Sequence, residues 1–169
     1  MSKRTYFQGV SEHPWHLSVG AVLMNEKGEV CHHHFTDALT KGYWPDEGCI
    51  DFHLLMRETV HPNETLEEAV HRGLVEEFGV MGEIIDYIGS FTSEFQHKGV
   101  AIQKTTSYFL CKLLFQDETK RNASDIEGQT ILEWHTPAFL IPKMKEQGTR
   151  FGREDVDESA VLERLQKHI

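Results

Sequence analysis

The sequence has no apolar run near the roughly 20 residues of a membrane-spanning helix, and no signal-peptide pattern. These absences predict a cytoplasmic protein with no membrane partner. Cysteine is scarce and gives no disulfide framework, because Cys31, Cys49 and Cys111 are odd in number and widely spaced. Positive charge is in deficit: 17 Lys and Arg stand against 27 Asp and Glu, a formal net charge of -10. Non-specific nucleic-acid binding depends on clustered Lys and Arg, so it is not expected. Internal repeats and low-complexity stretches are missing too. What is there is 169 residues, the length of about one domain and enough to bury a real core.

The segment from Glu64 to Val80, E-T-L-E-E-A-V-H-R-G-L-V-E-E-F-G-V, carries the strongest signal. Advancing each residue by about 100° places Leu66, Ala69, Val70, Leu74 and Phe78 on one arc, the expected core face of a helix. Thr65 and Glu68 fit a capping box, and Gly79 sits where a left-handed residue would end the helix. Glu77 falls inside the apolar arc, with Glu76 and Arg72 along its edge. A buried, unpartnered carboxylate is very costly, so such a residue is normally paired or bound to a metal. Two readings follow: a metal site at the rim of the core, or a Glu77 that leans out to pair with Lys or Arg. Gly73 is the anomaly, since a mid-helix glycine costs roughly 1 kcal/mol relative to alanine.

This stretch resembles the signature of the Nudix hydrolase family, G-x5-E-x7-R-E-U-x-E-E-x-G-U, with U an aliphatic residue. Glu64, Arg72, Leu74, Glu76, Glu77, Gly79 and Val80 fill seven of its nine specified positions. The other two differ: Glu58 stands at the leading glycine and Gly73 at the glutamate after the arginine. The preceding loop, Met56 to Asn63, also lacks the family's usual glycines. Arg57 there could contact a phosphate directly through its planar fork.

The neighbouring segments agree with the resemblance. Leu17–Met24 and Glu29–Phe35 read as a hairpin around Asn25-Glu26-Lys27-Gly28. Gly82–Thr92 and Val100–Phe115 are rich in β-branched and aromatic residues and read as strands joined by a loop over Ser93–Gly99. Gln129–His135 reads as a last strand, followed by a helix with Thr136 as N-cap and Pro137 in its first turn. Val161, Leu162, Leu165 and Ile169 are spaced as the apolar face of a C-terminal helix. The expected fold is α/β, a Nudix-type α/β/α sandwich with a mixed central sheet. Residues 1–16 form an N-terminal extension and residues 17–169 a single domain.

The resemblance implies Mg²⁺- or Mn²⁺-dependent hydrolysis of a diphosphate bond, in a nucleoside diphosphate linked to another group. Glu76 and Glu77 are then metal ligands and Arg72 orients the glutamates. Gly73 removes one carboxylate that the family carries on this helix. Glu127, ahead of Trp134, is the first candidate to replace it as a metal ligand, with Glu94 and Glu58 behind it. Two rivals stay open: a Nudix-fold module that binds a nucleotide or a protein without catalysis, and an isomerase of isoprenoid diphosphates. The partner in the main reading is a small nucleotide-like diphosphate, and the sequence leaves a homodimer open.

Cys31-His32-His33-His34 is the other cluster. With Cys49 and His53 it suggests zinc, but the spacing matches no familiar zinc motif. A histidine-rich strand end bordering a pocket is the simpler account. Tyr43, Trp44, Phe52, Phe91 and Phe95 are candidates to stack on a base, although core packing suits most of them better.

Overall fold

Trp15–Met24 (β1) carries a run of small and apolar residues buried on both faces, as a strand inside a layered fold requires. One edge of β1 pairs in parallel, along its whole length, with Val100–Gln116 (β6). The other edge is divided. Met56–Thr59 (β4) takes Ser18 to Ala21 in antiparallel pairing, while Val30–Phe35 (β2) meets β1 only at Met24. The turn over Asn25 to Gly28 joins β1 to β2 as expected, but the two strands diverge at once. β2 instead pairs with Phe52–Leu54 (β3) and Ile131–His135 (β7). The sheet therefore forks, and β4 and β2 stand on its two prongs.

The computed structural model describes residues 14–43 and 49–169, so the N-terminal residues 1–13, the Tyr43 side chain and Trp44 lie outside the described residues. Val80–His97 (β5) and β6 make one long antiparallel hairpin turning at Lys98 and Gly99. The expected loop over Ser93–Gly99 is thus mostly strand, because cross-strand pairing continues through Glu94↔Gln103 to His97↔Val100. Asp37–Tyr43 (α1) follows β2. Leu66–Phe78 (α2) covers one face of the sheet, and Pro137–Phe151 (α3) with Ser159–Leu165 (α4) covers the other.

Alternation in β1 sorts its side chains between two cores. Val19, Ala21 and Leu23 pack with Ala69, Val70, Leu74 and Phe78 of α2. Val22 packs with Leu140, Met144, Val161, Leu162 and Leu165 of α3 and α4. This is the expected α/β/α sandwich with a mixed sheet. Ile169 departs from its predicted role: α4 ends at Leu165, and Ile169 is 67% exposed. No helix among the described residues is long and apolar enough to cross a membrane.

Candidate active site

α2 begins and ends as its sequence dictates. Thr65 accepts from the Glu68 amide while Glu68 returns a bond to Thr65, and Gly79 closes the helix in the left-handed conformation. Its C-terminal half carries the candidate residues to the fork of the sheet. Gly73 is explained there. A Cβ on it would lie 2.6 Å from Met56 Sδ and 3.0 Å from Glu58 Cβ, so β4 packs directly on the bare helix backbone. Glycine is kept at the cost of helix propensity because β4 occupies the space of a side chain.

Glu77 is buried, and its ion-pair partner among the described residues is a histidine. Its Oε2 lies 2.7 Å from His33 Nε2, and the Arg57 backbone amide also donates to the carboxylate. Among the described residues no Lys or Arg side chain takes the pairing role. Thr130 Oγ1 donates its single proton to the Glu127 carbonyl, 2.8 Å away, and accepts from Arg121. His33 Nδ1 lies 2.6 Å from that same oxygen, so the ring bridges Thr130 and Glu77. Burial pushes the Glu77 carboxyl well above its usual range, and the charges of Glu58 and Glu127 push it the same way.

Arg72 joins the remaining acids. It grips Glu64 with two bonds, 2.8 Å from Nε and 3.0 Å from Nη2, and reaches Glu58 at 3.2 Å and Glu76 at 3.5 Å. Its Nη2 also donates to the Thr59 carbonyl, which ties α2 to the end of β4. Arg121 does the equivalent for the loop that bears Glu127. It donates to the carbonyls of Glu77, Glu127 and Thr130, while Asn122 N caps the Glu76 carbonyl. The open end of α2 is thereby satisfied by the loop, and Glu127 is drawn to the helix terminus.

Glu58, Glu76, Glu77 and Glu127 all line one cavity of about 230 Å³ at the fork. Arg57 and Lys104 line it too. Arg57 is oriented by the Asp155 carbonyl and by Glu158, 3.7 Å away. Burial lowers the Lys104 ammonium to about 7. Of the predicted residues, Glu94 is not brought here: it is exposed on β5, beside a separate depression near Phe95 and Phe151. Phe52 stacks on Phe35 in the core, and Phe91 packs on Tyr108, so neither faces the cavity as a base platform. Cys31 is in the α2-side core and Cys49 in a separate apolar cluster, which removes both from any shared metal site.

His33 borders the cavity, as expected of a histidine-rich strand end next to a pocket, but its pairing with Glu77 and the roles of Arg121 and Lys104 were not expected. A sequence signal existed for Lys104, since it alternates with Ile102, Thr106 and Tyr108 on the inward face of β6. None existed for Arg121, whose role depends on where the loop lands.

A protein-family model described as the NUDIX domain matches residues 14–154. The chain belongs to the Nudix family. A NUDIX hydrolase from Nitrosomonas europaea shares the fold with a TM-score of 0.58 and 13% identity, covering 77% of this chain and 78% of its own. The C. elegans Ap4A hydrolase aligns with a TM-score of 0.54 and 16% identity over 90% of this chain and 97% of its own. The MutT protein from Methanosarcina mazei gives 0.50 and 20%, over 84% and 96%. No curated protein matches the sequence. At these identities the solved structures speak to the fold.

The donor set of this Nudix cavity suits a hard divalent cation. Beyond burial, the charges of Glu58 and Glu127 raise the proton affinity of Glu77, and the charge of Glu76 raises that of Glu58, a repulsion that a dication relieves. Mg²⁺ binds through one or two carboxylates while keeping several waters. The carboxylates ring the cavity and do not meet at a point. Among the described residues, three ligand atoms within 4.8 Å of one another occur at His32, His53 and Glu133 instead.

Proposed function

We propose that this Nudix protein hydrolyses the diphosphate bond of a nucleoside diphosphate linked to another group, with Mg²⁺ or Mn²⁺. The observation that carries the reading is one cavity lined by both carboxylates (Glu58, Glu76, Glu77, Glu127) and cations (Arg57, Lys104). The acids suit a metal ion and the cations suit the anionic substrate that it would share. That the C. elegans neighbour is named an Ap4A hydrolase agrees with a nucleotide-like substrate.

Glu76, Glu77 and Glu127 are the proposed metal ligands. A bound dication would neutralise phosphate oxygens and lower the pKa of an attacking water. Glu58 answers the loss at position 73. Its Cβ lies 3.0 Å from where a Gly73 Cβ would be, so glycine and glutamate have exchanged places across the β4–α2 contact. The carboxylate reaches the cavity from the strand instead of the helix. Arg72 orients Glu58 and Glu76, and His33 orients Glu77. Arg57 and Lys104 bind the phosphates and exclude water behind them.

The reading is tested by incubating the chain with a panel of nucleoside diphosphate derivatives, with and without Mg²⁺ or Mn²⁺. Metal-dependent cleavage that is lost in Glu77→Gln supports it. Gly73 is the observation that favours the rival, a binding module without turnover. That rival requires nucleotide binding independent of metal and no cleavage. Rearrangement of an isoprenoid diphosphate without phosphate release would make the chain an isomerase.

A further inference from the structure

β2 turns its histidines to both faces of the sheet. Cys31 packs among α2-side residues and His33 reaches Glu77, so His32 and His34 point to the side of α3. There they meet His53 from β3 and Glu133 and His135 from β7. His34 pairs in register with His53, and His32 with Glu133. The His135 ring stacks on Phe139 of α3, 4.2 Å between centroids. The result is a nitrogen-rich cluster across the sheet from the carboxylate cavity.

Three details distinguish this cluster from ordinary polar packing. First, His53 is nine-tenths buried, and its Nδ1 has no hydrogen-bond partner among the described residues; Glu133 Oε2 stands off at 3.9 Å. A buried, unsatisfied ring nitrogen is costly unless something absent from the protein engages it. Second, Glu133 is oriented for that task. His34, clamped by Asp51 at 2.6 Å, holds Glu133 Oε1 at 2.9 Å and leaves Oε2 facing His53 at 3.9 Å and His135 at 3.8 Å. A carboxylate fixed through one oxygen by a histidine is the support that metal ligands usually receive. Third, burial lowers His32 to about 4 and His53 to about 3, so both rings are neutral at pH 7 and keep lone pairs.

The geometry points to a second cation site, in which His32, His53 and Glu133 bind a borderline transition-metal dication such as Zn²⁺, with His135 as a fourth ligand. Ligand atoms of the first three already lie within 4.8 Å of one another, and His135 Nδ1 is 2.9 Å from His32 Nε2. Tetrahedral coordination at about 2.0–2.1 Å requires donors roughly 3.3 Å apart, so modest side-chain rotations close the shell. Imidazole nitrogen with one carboxylate selects Zn²⁺, Cu²⁺ or Ni²⁺ over Mg²⁺. Lys143, whose charge bears on His53, is exposed and lies over the Phe139 ring, 5.4 Å from its centroid. The site ties β2, β3 and β7 together beneath α3, and it stands apart from the hydrolase reading.

The test uses the full chain, stripped of metal with a chelator and titrated with Co²⁺ in excess Mg²⁺, which occupies the oxygen-lined cavity. Visible d–d absorption saturating at one Co²⁺ per chain is expected, displaced by Zn²⁺, which also raises the melting temperature. The absorption should vanish in His53→Ala and persist in Glu77→Gln. If His53→Ala fails to fold, the partly exposed Glu133→Gln decides, with binding weakened at least ten-fold. Absence of the bands in the unsubstituted chain, their survival in the ligand variants, or their loss in Glu77→Gln alone overturns the proposal. No hydrolysis is read, so a failed activity assay leaves this result intact.

Discussion

His33 Nε2 and Glu77 Oε2 lie 2.7 Å apart inside the protein, joining the second strand to the end of the second helix across 44 positions of sequence. Removing one member of such a pair should hurt far more than altering it. His33→Ala leaves Glu77 buried without its ring partner and opens a void, and should lose about 3 kcal/mol of unfolding free energy. Glu77→Gln keeps a bond, because its amide donates to the ring nitrogen, and should change stability by less than about 1.5 kcal/mol. Urea denaturation of both variants separates the two outcomes. Cleavage should be lost in Glu77→Gln despite its stability.

The exchange of Glu58 and Gly73 makes a prediction of its own. Gly73→Ala gains roughly 1 kcal/mol of helix propensity but crowds Met56 and Glu58, an overpacking cost of typically 1–3 kcal/mol. The net expectation is a loss of about 1 kcal/mol by thermal or chemical unfolding. Glu58→Gly should weaken Mn²⁺ binding about ten-fold, read by electron paramagnetic resonance. Adding Gly73→Glu to that variant should restore part of the affinity, whereas Gly73→Glu alone should destabilise. Additive effects of the two changes would sink the exchange.

Acid should loosen the junction of β4 and α2. Bonds from Arg72 hold Glu64 at about 2, below its ordinary 4.5. A depressed folded value means that the unfolded chain binds the proton more readily. The contribution is therefore complete above about pH 5 and is lost as pH falls through 4.5 towards 2. Glu64→Gln should lower the melting temperature above about pH 5, where the contribution is complete, and flatten the acid limb so that the two profiles converge towards about pH 2.

Lys104 should serve binding at the expense of stability. Burial lowers it to about 7 from 10.5, so its charged form is disfavoured in the folded protein. Between those values the unfolded chain holds the extra proton, and this group's effect on stability improves as pH rises. Lys104→Met should leave the melting temperature at pH 7 equal or higher. It should raise KM for the nucleotide several-fold with little change in kcat, as loss of a ground-state phosphate contact requires.

Local signals in the chain were reliable where neighbouring residues decide the outcome. The capping box at Thr65, the left-handed stop at Gly79 and the inward arc of α2 all appear as the sequence indicates. The hairpin loop expected at Ser93–Gly99 failed because cross-strand pairing is a property of two segments, and polar side chains alternate there without breaking the ladder. Ile169 failed because the register of a helix says nothing about where it ends.

The sequence by itself determined α2, the layered fold and the acids at the helix end, since periodicity and caps act over a few residues. Only the tertiary structure decided what those acids face. His33, Lys104 and Glu58 reach the cavity from three separate strands, Arg121 ties the Glu127 loop to the helix end, and the forked sheet sets that convergence. The same fork sends His32, His53 and Glu133 to the opposite face, where burial makes histidines neutral and leaves one ring nitrogen without a partner. Charge and burial are set by the whole surroundings of a group, and those surroundings exist only once the chain has folded.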